Sequence, residues 1–206
     1  MVLALAYGDA ATPGGRNTGG QHPNPASRFE VVVISRKEQH MQHSFYTIGY
    51  EGSVLEDFVA TLRSAGVETL IDVRDVPLSR KPGFSKTALQ ANLESSGIAY
   101  VHLKGLGDPK PGREAARAGK YELFRRIFGR HMSSDVAQRD LERAAELVLD
   151  RPSCLMCFEH DPCNCHRSIV ADQLAKQTGL QLHHLSIGGS MRAHARRPHL
   201  PGLAIA

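Results

Sequence analysis

No apolar run in this chain approaches the length of about 18 residues that a membrane-spanning helix requires. The amino terminus also lacks the basic residues that open a secretory signal, and its apolar stretch of about six residues is shorter than the stretch in such signals. We therefore expect neither a membrane partner nor secretion.

Cysteine is scarce, and the four cysteines all lie between Cys154 and Cys165. The cysteines that staple a small secreted domain are spread along the chain, so this crowding argues against a disulfide framework. We expect a cytoplasmic protein whose thiols are free or bound to a metal. The loop of cysteine phosphatases, a Cys followed six residues later by an Arg, is also missing, because Cys157 is followed at that distance by Cys163.

The central part of the chain has no excess of positive or of negative charge. Residues 44–186 carry 18 Lys and Arg against 18 Asp and Glu, which cancel. Residues 187–206 carry three Arg and no acid, and they account for most of the formal net charge of +4. The overall charge is therefore no evidence for a basic face on the folded body, and a nucleic-acid interpretation must rest on local clusters.

The chain divides into three parts by composition. Residues 1–43 are rich in Gly, Pro, Ala, Asn and Gln, with one apolar island at 29–34, and we expect a disordered extension or a segment upstream of a true start at Met41. Residues 44–186 have the length and apolar content of one domain with a hydrophobic core. Residues 187–206 are expected to be a flexible basic tail.

Strand-like and helix-like segments alternate along the central part. A capping box from Ser53 to Glu56 predicts the start of the first helix, whereas residues 104–119, rich in Gly, Pro and basic residues, are expected to be a loop. The alternation predicts a single α/β domain with a mostly parallel five-stranded sheet, or six-stranded if the 29–34 island joins it, flanked by helices in a Rossmann-like three-layer arrangement. The predicted strands are residues 45–48, 67–73, 98–103, 153–158 and 180–185, and the predicted helices are residues 53–66, 85–97, 120–130, 134–150 and 166–177.

Polar side chains gather where the predicted strands end. Tyr50 follows the first strand, Asp72 and Arg74 end the second, His102 ends the third, and Glu159 follows the fourth. The carboxyl ends of parallel strands form the edge at which ligands bind in such sheets. We therefore expect the functional site at this edge.

Five motifs occur in order along the chain: Tyr46-Thr-Ile-Gly-Tyr-Glu-Gly52, Leu70-Ile-Asp-Val-Arg74, Pro77-Leu-Ser-Arg80, Tyr100-Val-His-Leu103 with Leu106-Gly107, and Cys157-Phe-Glu159 with Cys165-His-Arg-Ser168. Together they resemble the DUF488 family of uncharacterised proteins, over about residues 45–185. The resemblance implies an enzymatic role without a settled reaction. The family reads Leu-Gly-Gly where this chain has Leu106-Gly107-Asp108, and Cys154 and Cys163 are additions of this chain.

The carboxylates and arginines at the strand ends predict acid–base chemistry on an anion. Asp72 and Glu159 would end neighbouring strands, and two carboxylates in one cleft separate their pKa values into an acid and a base. Arg74, Arg80 and Arg167 would hold a phosphate or carboxylate group of the substrate. The alternative is that the same residues form ion pairs that tie loops to the sheet.

The thiols allow more than one chemistry. Cys157 or Cys165 would act as a nucleophile or would shape the substrate site, and Cys165 lies where a helix begins, which favours a thiolate. On a strand, Cys154 and Cys157 face opposite sides and cannot easily share one ion. A zinc or iron site built from Cys157, Cys165 and His166 stays open as an alternative, as does a redox pair of Cys157 and Cys165.

These observations together predict an enzyme of unassigned reaction that acts on a small anionic substrate, either phosphate-bearing or related to nucleotides or nucleic acids. Tyr50 would stack on a substrate ring, and His102 would line the cleft. The second hypothesis is a metal- or nucleic-acid-binding module, and the third is a thiol-based redox regulator. The sequence implies no particular cofactor and assigns no oligomeric state.

Overall fold

The computed structural model describes residues 44–188 together with 192–193. Its strands are β1 (Phe45–Gly49), β2 (Thr69–Asp72), β3 (Ala99–His102), β4 (Ser153–Cys157), β5 (Leu182–His184) and β6 (Arg192–Ala193). Its helices are α1 (Leu55–Ser64), α2 (Lys86–Glu94), α3 (Lys110–Arg117), α4 (Tyr121–Met132), α5 (Asp135–Asp150) and α6 (His166–Thr178), with short 3₁₀ turns at Lys104–Leu106 and Pro162–Asn164.

The sheet has the strand order β3-β2-β4-β1-β5-β6. The first five of these strands are parallel, and only the two-residue β6 pairs antiparallel, with β5. The prediction of a mostly parallel, five-stranded α/β sheet is therefore confirmed. The 29–34 island, predicted as a sixth strand, lies outside the described residues.

Two hydrophobic layers cover the two faces of the sheet. On one face Phe45 and Leu155 pack against α4, α5 and α6. On the other face Ile48 and Met156 pack against α1 and α2. This is the three-layer arrangement that alternating strands and helices predict.

The alternation of side chains along β4 separates its two cysteines. Cys154 lies in the layer with α1 and α2, whereas Cys157 lies in the layer with α4, α5 and α6. The prediction from strand parity that these two thiols face opposite sides is confirmed.

Two local predictions were wrong. The predicted capping box does not form, because α1 begins at Leu55 after Val54, and the Ser53 hydroxyl donates instead to the Tyr50 carbonyl. The predicted loop at 104–119 contains a 3₁₀ turn and α3, whose buried face consists of the small residues Gly112 and Ala115. A face of small residues leaves no apolar periodicity to recognise in a segment rich in Gly and Pro.

In residues 44–188, no helix combines the length and the apolar character that crossing a bilayer would need. The predictions for residues 1–43, and most of the predicted tail at 187–206, fall outside the described residues.

Replacing Leu62 by Ala is expected to lower the free energy of unfolding by about 2–5 kcal/mol, because its fully buried side chain fills the layer under α1. Leu78→Ala is the matched control: that side chain is 74% exposed, so we expect a change within about 0.5 kcal/mol. Urea unfolding followed by circular dichroism measures both. Equal losses would mean that the described core is not the one that stabilises the protein.

Candidate functional site

A compact group of metal-capable side chains lies beyond the carboxyl end of β4. It consists of Cys157, Glu159, Cys165 and His166, which we call the Cys–Glu–His cluster. One potential ligand atom from each residue lies within 4.8 Å of every other. Both thiols contact the same carboxylate oxygen, Glu159 Oε2, with Cys165 Sγ at 3.1 Å.

The chain reaches Cys165 through a short, well-capped turn. The Asp161 carboxylate accepts the backbone N–H of Cys163 at 2.9 Å and begins the 3₁₀ turn Pro162–Asn164. Cys165 then caps α6, and its Sγ accepts the Arg167 backbone N–H at 3.4 Å. The partial positive charge of a helix N-terminus therefore faces this thiol, as the sequence predicted.

His166 is held in one orientation by the end of β2. Its Nε2 lies 2.8 Å from the Val73 carbonyl oxygen, and a carbonyl can only accept a hydrogen bond. The proton therefore sits on Nε2, and the lone pair of Nδ1 points towards Cys165 Sγ at 3.8 Å. Phe128 of α4 supports the ring edge-on, with centroids 5.5 Å apart.

Arg167 supports the loop that carries Glu159. Its guanidinium is fully buried and donates to the carbonyls of Glu159 and His160, the latter at 3.0 Å. It also lies 3.6 Å from Cys157 Sγ. A guanidinium engaged in this way is not available to a substrate anion, so the predicted anion-binding role of Arg167 does not fit its position.

Gly49 allows this loop to approach β1. A Cβ on Gly49 would lie 1.8 Å from the Glu159 carbonyl oxygen and 2.9 Å from the Arg167 guanidinium, so no larger residue fits. This close approach of the loop to β1 keeps the Glu159 side chain in contact with Cys157.

Burial and hydrogen bonding decide which groups of the cluster are protonated. Burial, together with the neighbouring Cys165, raises the pKa of the Cys157 thiol well above its usual value. Burial also acts to raise the pKa of Glu159, but the hydrogen bonds that its carboxylate accepts from the Cys157 thiol, from its own backbone N–H and from the Cys165 thiol outweigh it and lower that pKa. Without a bound cation, the negative charge thus resides on Glu159, and Cys157 is a neutral thiol.

Asp108 is a site residue that sequence reasoning did not select. Its side chain is buried, its Oδ1 has no hydrogen-bond partner among the residues that the structure describes, and a Cβ on Gly112 would lie 2.0 Å from that oxygen. Burial raises its pKa to about 6, with Arg113 opposing the rise and Glu159 adding to it, so Asp108 lies within electrostatic reach of the cluster. The one signal in the sequence was the departure from Leu-Gly-Gly at this position.

Asp72 and Arg74 form a buried ion pair on the opposite face of the sheet from the cluster. Arg74 donates to both oxygens of the fully buried Asp72 carboxylate, at 2.8 and 2.6 Å, and the Tyr100 hydroxyl donates to it at 2.6 Å. The remaining Arg74 donors go to the Tyr50 hydroxyl and the Phe84 carbonyl. All their polar atoms are satisfied, so this pair fits the ion-pair alternative and not the expected acid–base and anion-binding roles.

The pKa values of the surrounding groups agree with a stable ion pair. Burial acts to lower the pKa of Arg74, but the hydrogen bonds and charge of Asp72 outweigh it and raise that pKa. Burial and the Asp72 charge both raise the pKa of Tyr100. Arg74 and Tyr100 therefore both keep their protons, and with them their hydrogen bonds to Asp72, at neutral pH.

The other predicted site residues lie apart from the cluster. Tyr50 is buried and stacks on Phe84 with centroids 4.3 Å apart, so its ring is not open to a substrate. His102 bonds the Arg74 carbonyl through Nε2 at 2.8 Å and supports the loop after β2. Arg80 is exposed. Of the predicted site residues, Cys157, Glu159, Cys165, the alternative ligand His166 and the supporting Arg167 come together.

The family model described as "Domain of unknown function DUF488" matches residues 54–174, which is more than half of the chain. The matched span includes the whole Cys–Glu–His cluster, Asp108 and the Asp72–Arg74 pair. No curated protein and no solved structure shows a significant match to the chain.

Asp72→Asn is expected to destabilise the fold by about 3–5 kcal/mol, because it leaves the Arg74 charge buried without its partner. Asp172→Asn, an exposed position on α6, provides the same chemical change without a buried partner and should stay within about 0.5 kcal/mol of the parent. The measurement is urea unfolding at pH 7. An Asp72→Asn variant as stable as the parent would contradict a structural role for this pair.

Proposed function

We propose that this chain, which belongs to the DUF488 family, is a zinc-dependent enzyme that activates water at the Cys–Glu–His cluster. One observation carries the proposal: two thiols, a carboxylate and an imidazole lone pair converge within 4.8 Å from three different segments of the site. The end of β4 supplies Cys157, the loop after it supplies Glu159, and the N-terminus of α6 supplies Cys165 and His166.

The separations between the ligand atoms suit a tetrahedral ion. Zinc bonds of about 2.3 Å to sulfur and about 2.0–2.2 Å to nitrogen or oxygen put neighbouring ligand atoms roughly 3.3–3.8 Å apart. The distance from Cys165 Sγ to His166 Nδ1, 3.8 Å, lies at the upper end of this range. An ion can therefore enter with small movements of the side chains.

The orientation of His166 also supports a metal. Metal-binding histidines usually donate their second ring N–H to a carbonyl or carboxylate, which fixes the ring and the tautomer. The Val73 carbonyl takes this role for His166 Nε2 and leaves Nδ1 free for the ion. A histidine that served packing alone would not need its lone pair aimed at a cysteine.

Cys154 provides a comparison within the same strand. It is also a fully buried thiol, but it lies among apolar side chains of the opposite layer, and burial raises its pKa. Ordinary core packing thus accounts for Cys154. The same explanation does not account for Cys157 and Cys165, whose thiols both contact one ionised carboxylate.

Two carboxylates favour a catalytic over a purely structural metal. With Cys157, Cys165 and His166 as protein ligands, the fourth position is left for water, as in other zinc enzymes with a Cys₂His set. Glu159 would then lie beside that water, and Asp108, whose Oδ1 has no hydrogen-bond partner among the described residues, lies within electrostatic reach of Glu159.

The reaction class that follows is hydrolysis. A zinc ion held by Cys157, Cys165 and His166 would supply a bound water of lowered pKa, and Glu159 would accept its proton as the water oxygen bonds to the electrophilic centre of the substrate. The bond to the leaving group then breaks, and the leaving group takes the same proton from Glu159. Atoms and charge balance without an oxidant or a reductant.

A redox thiol pair is the second candidate, because Cys157 and Cys165 contact the same oxygen of Glu159. A hydroperoxide would accept two electrons and two protons from the thiols, leaving a disulfide and yielding water and an alcohol. This function requires both thiols to be free of metal, so metal content separates the two candidates.

Protein purified without an affinity tag is expected to hold one zinc ion per chain. Cys165→Ser should weaken zinc binding at least tenfold, because it removes a thiolate ligand. Cys163→Ser is the matched control, since that thiol is exposed and lies outside the cluster. Elemental analysis and competition with a chelating dye measure stoichiometry and affinity.

Equal zinc affinity in the Cys165→Ser and Cys163→Ser variants would overturn the metal site. A metal-free parent that forms a Cys157–Cys165 disulfide with hydrogen peroxide would favour the redox candidate instead.

Cobalt substitution tests whether the site is open. The Co²⁺ protein should show the intense visible bands of a four-coordinate ion, and azide should change those bands by displacing the bound water. In the Glu159→Gln variant the bands should persist, because Glu159 acts beside the ion and not as a required ligand. A spectrum unaffected by azide would indicate a closed, structural site.

A further inference from the structure

The neutral balance of the domain conceals a strong local asymmetry of charge. Residues 104–132, which contain α3 and α4, carry eight Lys and Arg against three Asp and Glu, a net charge of +5. The rest of residues 44–186 carries 10 basic against 15 acidic residues, a net charge of −5. The positive charge of the folded body is therefore concentrated in one two-helix segment.

Most of these cations are exposed, and few are neutralised. Only Lys110, with Glu114 at 3.9 Å, and Arg113, with Asp75 at 2.6 Å, form ion pairs within the described part of the chain. The unpaired, exposed cations define what we call the α3–α4 basic surface: Lys104, Arg117, Lys120, Arg125, Arg126 and Arg130. Unpaired cations at this density raise the local concentration of anions.

This segment is attached directly to the Cys–Glu–His cluster. Phe128 of α4 packs against His166, and His131 Nε2 lies 2.8 Å from the Gly105 carbonyl. On α3, Arg113 donates to the Asp108 carbonyl. The segment therefore packs against the cluster through buried side chains, and its exposed cations lie on the solvent side of the same helices.

We infer that the α3–α4 basic surface binds the phosphodiester backbone of single-stranded nucleic acid. The inference rests on charge complementarity: α4 alone spans about 18 Å, which is several phosphate spacings along a strand. An exposed aromatic ring, Tyr121, lies among these cations and is 42% exposed, as a base-stacking platform requires.

This inference deepens the proposed function by naming its substrate class, and it rests on that function for the chemistry. The binding surface itself does not include a metal ligand. Nucleic-acid binding and zinc binding can thus succeed or fail separately.

The test is fluorescence anisotropy of a labelled 20-nucleotide single-stranded DNA with the full chain, at salt concentrations from about 50 to 200 mM. The double variant Arg125→Gln/Arg126→Gln should bind at least tenfold more weakly at the lowest salt. Its slope of log K against log salt should fall by about 1.4, because each lost phosphate contact on a single strand contributes about 0.7.

The control is Arg139→Gln/Arg143→Gln on α5, which removes the same charge from two exposed arginines outside the basic surface. It should bind within about twofold of the parent, as should Cys165→Ser, which keeps the surface while losing the metal site. Equal losses in the α4 and α5 variants would overturn the inference, because binding would then follow net charge alone. Binding to phosphatidylserine vesicles but not to DNA would overturn it in favour of a membrane surface.

Discussion

The site depends on the hydrogen bonds that the buried guanidinium of Arg167 donates. This guanidinium lies at the first turn of α6 and donates to the carbonyls of Glu159 and His160, so it joins the loop after β4 to the helix that carries Cys165 and His166. Without a charged donor there, two carbonyls would remain unsatisfied beneath the loop. Gly49 makes the arrangement possible because only a residue without a Cβ leaves room for the Glu159 backbone.

Two groups of ionisable residues, which look like one group in the sequence, lie on opposite faces of the sheet. Asp72 and Arg74 satisfy each other in the layer with α1 and α2, where Tyr100 and Phe84 complete their hydrogen bonds. The Cys–Glu–His cluster lies on the other face, near Asp108, whose Oδ1 has no hydrogen-bond partner among the described residues. Satisfied polar groups stabilise a fold, whereas unsatisfied ones leave capacity for a ligand.

Much of the fold could be predicted, because burial imposes periodicity. The parallel strands, most helices and the opposite orientations of Cys154 and Cys157 all follow from alternation and spacing. The helix α3 could not be predicted, since its small buried residues form no periodic apolar pattern in the sequence. Asp108 was overlooked for the same reason, because it lies in the same segment of residues 104–119. Its importance comes from its burial beside His166 and not from its neighbours in sequence.

By itself, the sequence determined the α/β architecture and the edge of the sheet at which Cys157, Glu159, Cys165 and His166 come together. Only the tertiary structure decided which acids and arginines are already paired and which remain available. It also decided that α4, in the segment where the positive charge of the neutral domain is concentrated, packs against the site through Phe128. Whether an acid and an arginine form an ion pair depends on the distance between them across the sheet and on their desolvation. Neither quantity can be read from the order of residues along the chain.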